Sequence, residues 1–338
     1  MVEKILKMQK KTNLDNFLPC IGIDLMGSDT DSCFIIDSLL PVLDSLQGSA
    51  HFVIFGKEEC KKSIPPCSYI SYEVASESIE MGDHPLWAAR RKKNSSLALG
   101  IHALKSKAIH AFISMGNTGA LLTTARAQLK TLPSITHPAL LALLPSKKGT
   151  MAVLDVGANV DYKSAHLIEF AAMGIAYQKT RGIEKPTVGL LNIGKESLKG
   201  PLELRQAYQQ LDKLSTHHDY PFFLGNIEGR DVFEGKVDVL VTGGFAGNIF
   251  LKTAEGMARF LLGQLPAVSS LELFEHKLDY RKYPGATLCG VNGIIIKCHG
   301  EAKIQALTQS ILSAIDLAKK DFIKKIQIEI SSFFNQAK

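Results

Sequence analysis

The sequence predicts an α/β fold built on a doubly wound, mostly parallel sheet. Short apolar runs alternate with longer helical stretches along most of the 338 residues. The runs are almost continuously apolar, which is typical of strands covered on both faces by helices. Because 46% of the residues are apolar and only 21% are charged, the chain can bury a large core.

The elements follow from these runs in order. Nine runs are predicted as strands: residues 20–25, 51–55, 69–74, 110–115, 140–144, 152–156, 188–193, 222–225 and 237–242. Five stretches are predicted as helices: residues 85–105, 119–130, 163–179, 201–214 and 247–265. Residues 302–334 repeat apolar side chains at mostly helical intervals, which predicts a last helical stretch with one face packed on the body.

Composition excludes several classes of protein. No apolar stretch approaches the roughly 20 residues needed to cross a bilayer, and the lysine-containing N-terminus lacks the apolar region of a secretory signal. A cytoplasmic protein is therefore expected. The six cysteines contain no CxxC pair, so neither a zinc site nor a disulfide framework is expected. The net charge of +6 favours anionic ligands, but no basic stripe is interleaved with aromatics, so nucleic acid is not an expected partner.

Five predicted strand ends run into turns rich in glycine and asparagine. These turns are residues 116–119, 157–159, 192–194, 225–226 and 243–248. In a parallel sheet the carboxyl ends of strands bind ligands, and a glycine turn that opens a helix presents N–H groups to an anion. Helix capping explains any one turn, but capping accepts Asp or Ser as readily as this recurring Asn. The set therefore predicts a ligand site.

A basic run, Arg90-Arg91-Lys92-Lys93, precedes Asn94 and Ser95 within a predicted helix. Steps of 100° per residue spread its four cations around the helix, so at least one is expected to face inward. Adjacent like charges repel unless anions screen them, and no acidic residue lies between Asp83 and Lys105. This pattern favours phosphate binding over a solvated charge run.

Candidate proton carriers are less clearly marked. Asp155 and Asp161 flank the 157–159 turn and are either acid–base groups or helix caps. His299 and Glu196 are likewise interpreted either as acid–base groups or as structural residues at a turn. The sequence lacks GxGxxG, GxxxxGK[ST], HExxH and GxSxG, which argues against Rossmann dinucleotide binding, P-loop chemistry, a zincin and an α/β-hydrolase.

Several long motifs resemble those of one family. They are Ile-Ser at 113–114 with Gly-Asn-Thr-Gly-Ala-Leu at 116–121, Leu-Asp-Val-Gly-Ala-Asn-Val-Asp at 154–161, Arg-Arg-Lys-Lys-Asn-Ser-Ser at 90–96, Gly-Asn-Ile-Glu-Gly-Arg-Asp at 225–231 and Gly-Phe-Ala-Gly-Asn at 244–248. From about Ile21 to the last helix, the chain resembles the bacterial phosphate acyltransferases of phospholipid synthesis, the PlsX family. One departure is Gly243, where the family has Asp.

The resemblance implies transfer of a long-chain fatty acyl group from acyl carrier protein to inorganic phosphate. The acyl phosphate product would serve a downstream glycerol 3-phosphate acyltransferase. It also implies a fold similar to phosphotransacetylases and to isocitrate and isopropylmalate dehydrogenases, with a projecting helical hairpin. Homodimers and peripheral membrane association are expected. Neither a metal nor a cofactor is expected. The expected layout is an N-terminal extension over residues 1–18, a catalytic domain over 19–256 and 284–334, and a projecting segment over 257–283.

With that resemblance, the residues can be assigned roles in direct transfer without an acyl-enzyme, since phosphate is itself a nucleophile. The residues expected to bind phosphate are Lys92, Lys93, Asn94, Ser95, Asn117 and Thr118. Those expected to bind the acyl thioester are Asn192, Glu196, Asn226 and Gly244. Asn159 and Asn248 are expected to orient and polarise the thioester, with Asp155 and His299 as proton carriers. The carrier protein is expected to contact Arg259, Lys277, Arg281 and Lys282.

Three alternatives remain open at this stage. A short-chain phosphotransacetylase acting on coenzyme A thioesters would share the chemistry and the fold. A catalytically silent scaffold would bind carrier protein or membrane, and a dehydrogenase is the third choice by fold. The dimer interface is expected to include the 119–130 region or its neighbours, and the membrane contact is expected within residues 257–283.

Overall fold

A computed structural model describes residues 17–28, 30–264, 283–298 and 304–336. The strands are β1 (Cys20–Asp24), β2 (His51–Gly56), β3 (Ile70–Val74), β4 (Ala111–Ser114), β5 (Ala139–Ser146), β6 (Gly149–Leu154), β7 (Val188–Asn192), β8 (Phe223–Glu228), β9 (Val239–Val241), β10 (Ala286–Cys289) and β11 (Ile294–Lys297). The helices are α1 (Ser32–Ser45), α2 (Pro85–Arg91), α3 (Ser96–Lys105), α4 (Thr118–Leu129), α5 (Ser164–Thr180), α6 (Leu202–His217), α7 (Gly244–Gln264), α8 (Ile304–Lys319) and α9 (Phe322–Gln336).

The predicted α/β class is confirmed, and all nine predicted strands are present. Strands β10 and β11 were not among the predicted runs, since each has only four residues. The prediction of a turn at residues 225–226 is wrong, because β8 continues through both of them. Helix α1 was also missed; Asp31 caps it by accepting hydrogen bonds from the N–H groups of Cys33 and Phe34.

Two predicted helical stretches are each divided into two helices. The stretch over residues 85–105 breaks after Arg91, because Ser95 caps a new helix by accepting a 3.3 Å hydrogen bond from Ala98 N–H. The basic run is therefore not on one continuous helix. The stretch over 302–334 breaks before Phe322, where Asp321 has a φ of 52° and cannot continue a right-handed helix.

The chain divides into two compact units. Unit 1 comprises Met1–Lys130 and Val291–Phe322. Its described strands follow the order β3-β2-β1-β4-β11, and each adjacent pair is parallel. Helix α3 packs against β1, β2 and β4, while α8 packs against β4 and β11. Every residue of β1, β4 and β11 is buried, so both faces of these strands are covered, as the apolar runs predict.

Unit 2 comprises Thr131–Gly290 and Ile323–Lys338. Its described strands follow the order β10-β5-β6-β9-β7-β8. Strand β5 is antiparallel to both neighbours, and the remaining pairs are parallel. Only residues 147 and 148 connect β5 to β6, and so short a connection permits only an antiparallel pair. Helix α5 packs on β6 and β9, and α6 packs on β7 and β8. The sheet is therefore mostly parallel, as predicted.

The cysteine prediction needs a correction, because Cys33 and Cys60 form a disulfide in unit 1. Cys33 lies in the first turn of α1, and Cys60 lies in the 3-10 helix Glu58–Ser63, against which α1 packs. Their Cα atoms are 5.1 Å apart although 27 positions separate them in sequence, so only tertiary packing brings them together. In the described part of the chain, no helix is long and apolar enough to span a bilayer.

Candidate active site

Strands β1, β4 and β11 end on the polar residues Asp24, Ser114 and Lys297. These side chains are buried, at 1%, 0% and 8% exposure. The Ser114 hydroxyl donates a 2.7 Å hydrogen bond to the Asp24 carboxylate. Burial raises the pKa of Asp24, while hydroxyls of Ser96 and Ser114 and the charge of Lys297 oppose that rise. Sequence reasoning missed this row; its available signal was a polar residue at the end of each of three apolar runs.

The turn after β4 is organised by Asn117, which caps α4. Its side-chain oxygen accepts a 3.0 Å hydrogen bond from Ala120 N–H. Its amide nitrogen donates to the carbonyls of Glu80, Met81 and Asp83 at 3.0–3.2 Å. The Asn117 side chain therefore holds the 80–83 loop. The backbone N–H groups of Thr118 and Gly119 lie in the first helical turn, where no acceptor exists within the helix, and are suited to an anion.

The predicted phosphate residues of the basic run have different surroundings. Lys92 donates to Asp83 at 2.5 Å and to the Ser78 carbonyl at 2.8 Å, so its charge is already paired. The neighbouring Lys93 and Asn94 have exposed side chains. Ser95 is fully buried, and its hydroxyl caps α3 while donating to the Lys92 carbonyl at 2.7 Å. Lys92 and Ser95 thus position backbone, and Lys93 is the exposed cation of the group.

In unit 2, Asp155 organises the turn that follows β6. Its two oxygens accept hydrogen bonds from the N–H groups of Leu140, Gly157, Ala158 and Asn159 at 2.7–3.1 Å. The residue has no exposed surface. Burial raises the pKa of Asp155, and the hydrogen bonds from Ala158, Asn159 and Leu140 oppose that rise. Because donors occupy both of its oxygens, the Asp155 carboxylate shapes the turn, and its role as a proton carrier stays a prediction.

The two asparagines predicted to orient the thioester differ in how many of their amide N–H groups already have an acceptor. Asn159 is buried, and its amide nitrogen donates to the Pro138 carbonyl and to Asp155, both at 2.9 Å. Both of its amide N–H groups are therefore used. Asn248 is exposed, and its amide nitrogen donates to the Val156 carbonyl at 3.1 Å. Its second N–H has no acceptor among the residues that the structure describes.

Close packing at the start of α7 brings the 157–159 turn and the 243–248 turn together. An added Cβ at Gly247 would overlap the Asp155 carbonyl oxygen, and one at Gly244 would overlap the carbonyl oxygen of Asn159. Gly157 has a φ of 133°, and a Cβ there would lie 2.9 Å from the Asn248 amide nitrogen. Side chains at these positions would push α7 away, so the glycines allow this close approach.

Gly243 is also explained by its surroundings. A Cβ at this position would overlap the ring of Tyr162. Burial raises the pKa of Tyr162, and the nearby charge of Glu203 adds to the rise. The tyrosine ring thus occupies the space that a side chain at position 243 would need, so glycine fits there without displacing Tyr162.

The remaining predicted thioester residues shape the 193–199 loop after β7. Asn192 is buried; its amide donates to the Lys199 carbonyl at 3.0 Å and accepts from Ile193 N–H at 2.8 Å. Asn226 is buried in β8 and donates to the Glu196 carbonyl at 2.9 Å, while the Glu196 side chain is exposed. These asparagines hold the loop through its backbone.

Large apolar side chains are exposed along these turns and the start of α7. They are Val160 at 73%, Ile193 at 82%, Leu198 at 74%, Phe245 at 64% and Ile249 at 51%. Val160, Phe245 and Ile249 lie in or next to the two turns that pack closely at the start of α7, and neighbouring exposed apolar side chains commonly mark a binding surface.

Several predicted residues are not part of these turns. Arg259 is exposed in α7. His299, Lys277, Arg281 and Lys282 lie outside the described residues. Within the described ranges, no three His, Cys, Asp or Glu side chains are arranged to hold a metal ion.

Comparisons with known proteins find one family model and several relatives that match most of the chain. A family model described as a fatty acid synthesis protein matches residues 20–325. A phosphate acyltransferase of Chlamydia caviae is 46% identical over 319 residues, covering 92% of this chain and 99% of the relative. A phosphate acyltransferase of Magnetococcus marinus is 37% identical over 335 residues, covering 93% of this chain and 95% of the relative.

Solved structures share the fold at low identity. A phosphotransacetylase from Streptococcus pyogenes has a TM-score of 0.60 at 15% identity, covering 95% of this chain and 99% of its own. A 4-hydroxythreonine-4-phosphate dehydrogenase from Klebsiella pneumoniae has a TM-score of 0.54 at 14% identity, covering 89% and 99%. The predicted phosphotransacetylase-like and dehydrogenase-like fold is thereby confirmed.

Proposed function

This chain belongs to the family of phosphate acyltransferases that is described as fatty acid synthesis proteins, and from that premise we propose that it transfers a long-chain acyl group from acyl carrier protein to inorganic phosphate. As a member it is an acyltransferase. The donor, the chain length and the acyl phosphate product belong to the proposal.

In the proposed reaction, an oxygen of hydrogen phosphate attacks the thioester carbonyl carbon. The new carbon–oxygen bond forms, the carbon–sulfur bond breaks, and the proton of hydrogen phosphate ends on the released thiol. Phosphate supplies the nucleophile and the proton, so no side-chain nucleophile is needed. The protein must bind phosphate, stabilise the tetrahedral oxyanion and hold the acyl chain.

Phosphate binding is assigned to the first turn of α4 in unit 1. The N–H groups of Thr118 and its neighbours at this helix start favour an anion, and Lys93 is an exposed cation of the basic run, as are Arg90 and Arg91. Lys92 and Asn117 support the site by holding the 78–83 loop. Ser95 supports the phosphate site by capping α3. The backbone N–H of Asn94 supports it by donating to the Glu77 carboxylate just before that helix.

Thioester binding is assigned to the turns of unit 2, with Asn248 as the hydrogen-bond donor to the oxyanion. This choice rests on its exposure and on its second amide N–H. Asp155 and Asn159 hold the turn below it, while Gly244 permits the close packing of α7. Asn192, Glu196 and Asn226 contribute through the 193–199 loop. His299 stays a predicted proton carrier.

The observation that carries a long-chain donor is the exposed apolar surface beside these turns. Val160 follows Asn159 directly, and Phe245 and Ile249 flank Asn248 in α7. A fatty acyl chain would remove this surface from water, at roughly 25 cal/mol for each Å² buried. An acetyl group is too small to do so.

The decisive experiment mixes the purified protein with palmitoyl carrier protein and phosphate. We expect phosphate-dependent thioester loss with formation of acyl phosphate, trapped as a hydroxamate. A parallel reaction with acetyl coenzyme A should be much slower. Faster turnover of acetyl coenzyme A would instead identify a short-chain phosphotransacetylase, and carrier-protein binding without thioester loss would identify a silent scaffold.

The assignment of Asn248 makes a specific prediction. Asn248→Ala should lower kcat by about a hundredfold or more, since loss of one oxyanion donor costs about 2.7–4 kcal/mol of barrier. The matched control is Thr253→Ala, an exposed position on the same helix, which should keep the parent rate. Equal rates for both variants would remove Asn248 from the mechanism.

Further partners remain predictions of the same proposal. The acidic carrier protein would meet Arg259 and, outside the described residues, Lys277, Arg281 and Lys282. Acyl phosphate is poorly soluble in water and is consumed by a downstream glycerol 3-phosphate acyltransferase, so a cytoplasmic protein in peripheral contact with the membrane fits the product. The homodimer is likewise a proposal.

A further inference from the structure

Asp24, Ser114 and Lys297 end three neighbouring parallel strands at one register position. Asp24 pairs with Ser114 between β1 and β4, and Lys297 pairs with Ser114 between β11 and β4. Register partners in a parallel pair extend toward the same side of the sheet. The 2.7 Å hydrogen bond between Ser114 and Asp24 agrees with that arrangement. We call these three residues the buried polar row.

Each member of the row also bonds the backbone that follows a strand. Asp24 accepts a 3.0 Å hydrogen bond from Met26 N–H, and Ser114 accepts one from Gly116 N–H at 3.2 Å. The Lys297 ammonium donates to the carbonyls of Met115 and Cys298. Two of these bonds reach residues 115 and 116, which lead directly into the first turn of α4. The row therefore sets the backbone of that turn.

The row also combines an acidic and a basic side chain, Asp24 and Lys297, which are both buried. Desolvation makes a buried ion pair a poor source of stability, and an apolar replacement of similar size is often no less stable. Removing one partner alone leaves an uncompensated charge, which is much more costly. A negative Asp24 without Lys297 would also repel an anion at the nearby helix start.

Resting on the phosphate-binding function proposed above, we propose that Asp24, Ser114 and Lys297 are positioning residues that hold the 116–119 turn in its anion-binding form. In this arrangement Lys297 cancels the negative charge of Asp24, which would otherwise oppose phosphate. The row acts through the turn and through its charge balance. It adds residues that the predicted phosphate set does not contain.

The test measures inorganic phosphate binding by calorimetry on the full chain, beside turnover and thermal unfolding. Lys297→Met should raise the phosphate Kd about tenfold, because it leaves Asp24 uncompensated. Asp24→Asn combined with Lys297→Met should return the Kd to within about threefold of the parent, because both charges are then gone. The KM for acyl thioester should change little in either variant. A purely structural role would lower the unfolding temperature and the phosphate affinity together, whereas the proposal expects the Kd to rise in Lys297→Met protein that is fully folded at the assay temperature.

Two further variants complete the test. Lys179→Met breaks the 2.8 Å pair with Glu329 in unit 2 and should leave the phosphate Kd unchanged. If Lys297→Met does not fold, Ser114→Ala takes its place; it removes the link between Asp24 and Gly116 without changing charge and should raise the Kd at least about threefold.

The outcomes separate this inference from the proposed function. A parent protein that binds phosphate without thioester loss would overturn acyl transfer, while the Kd values would still decide the role of the row. If folded Lys297→Met has the parent Kd for phosphate, or if the double variant binds phosphate no more tightly than Lys297→Met, only the proposed role of the row is overturned. A parent that binds no phosphate would overturn both.

Discussion

The ion pair between Lys92 and Asp83 shows how one residue of the basic run acts through structure. The same Asp83 oxygen accepts from the Lys92 ammonium and, at 2.9 Å, from Glu80 N–H. Lys92 also reaches the Ser78 carbonyl, and Asn117 bonds the same loop from α4. The loop is therefore held from two directions. Lys92 is better described as a positioning residue than as a phosphate ligand.

At the residue scale, this pair predicts a pH dependence of stability. The Lys92 hydrogen bond, followed by the Glu80 N–H, holds the pKa of Asp83 below its ordinary value of 3.8. A lowered carboxyl pKa contributes stability above the unfolded value and loses it as the pH falls through the folded value. Asp83→Asn should therefore be less stable than the parent at pH 5–7, and the difference should shrink below about pH 4.

Denaturant unfolding at pH 7, 5, 4 and 3 measures this difference. The control is Glu58→Gln, which breaks the exposed 4.0 Å contact with Lys61 and should match the parent at pH 7. If the difference in unfolding free energy between the parent and Asp83→Asn grows as the pH falls, the stabilising role of ionised Asp83 is contradicted.

At the element scale, α7 departs from the usual pattern of a surface helix. Of its 21 residues, only Gly244 and Gly247 are buried. Met257, Phe260 and Leu261 in its second half are exposed. A surface helix ordinarily buries an apolar stripe against its own domain. The exposed apolar residues of α7 are therefore candidates for the proposed contact with a lipid surface.

This proposal predicts that Phe260→Ser with Leu261→Ser weakens sedimentation with anionic vesicles. Withdrawing two apolar side chains from lipid should lower the binding constant at least about tenfold, since each buried side chain contributes about 1.5–3 kcal/mol. Leu312→Ser, at an exposed position of α8, is the control and should bind as the parent does. Turnover of soluble carrier-protein substrate should stay at the parent level. Unchanged sedimentation, or loss of turnover instead, would reject the membrane reading.

At the scale of the whole molecule, the disulfide between Cys33 and Cys60 is an unusual feature for a protein expected in the cytoplasm. The other four cysteines are free. Burial raises the pKa of Cys20 to about 12, which keeps that thiol protonated and unreactive. The only bridge thus closes a loop within unit 1, where it ties α1 to the 3-10 helix after β2.

We expect four thiols per denatured, unreduced chain and six after reduction. Cys33→Ser should lower the free energy of unfolding by about 3 kcal/mol without reductant, because the unfolded chain loses its cross-link. With reductant the parent and the variant should become nearly equal. Six thiols in the unreduced protein would show that the bridge does not form.

The sequence alone determined the α/β class and the nine predicted strands, and it predicts that function lies at the glycine and asparagine turns. Apolar runs and turn residues report local burial and local backbone shape, and both are set by near neighbours in the chain. The sequence did not predict β10 or the helix break at Ser95. A strand of four residues, or a single cap within a helical pattern, changes the periodicity of the sequence too little to be recognised.

Tertiary structure alone decided which polar residues meet and which are already occupied. Ser114 bonds Asp24 across 90 positions, and Lys297 reaches the Met115 carbonyl across 182. It also showed that Asn159 has no amide N–H to spare and that Tyr162 fills the space beside Gly243. These contacts depend on strand order and register, which come from packing the whole sheet. No local pattern in the chain encodes them, because the partners are distant in sequence and adjacent only after folding.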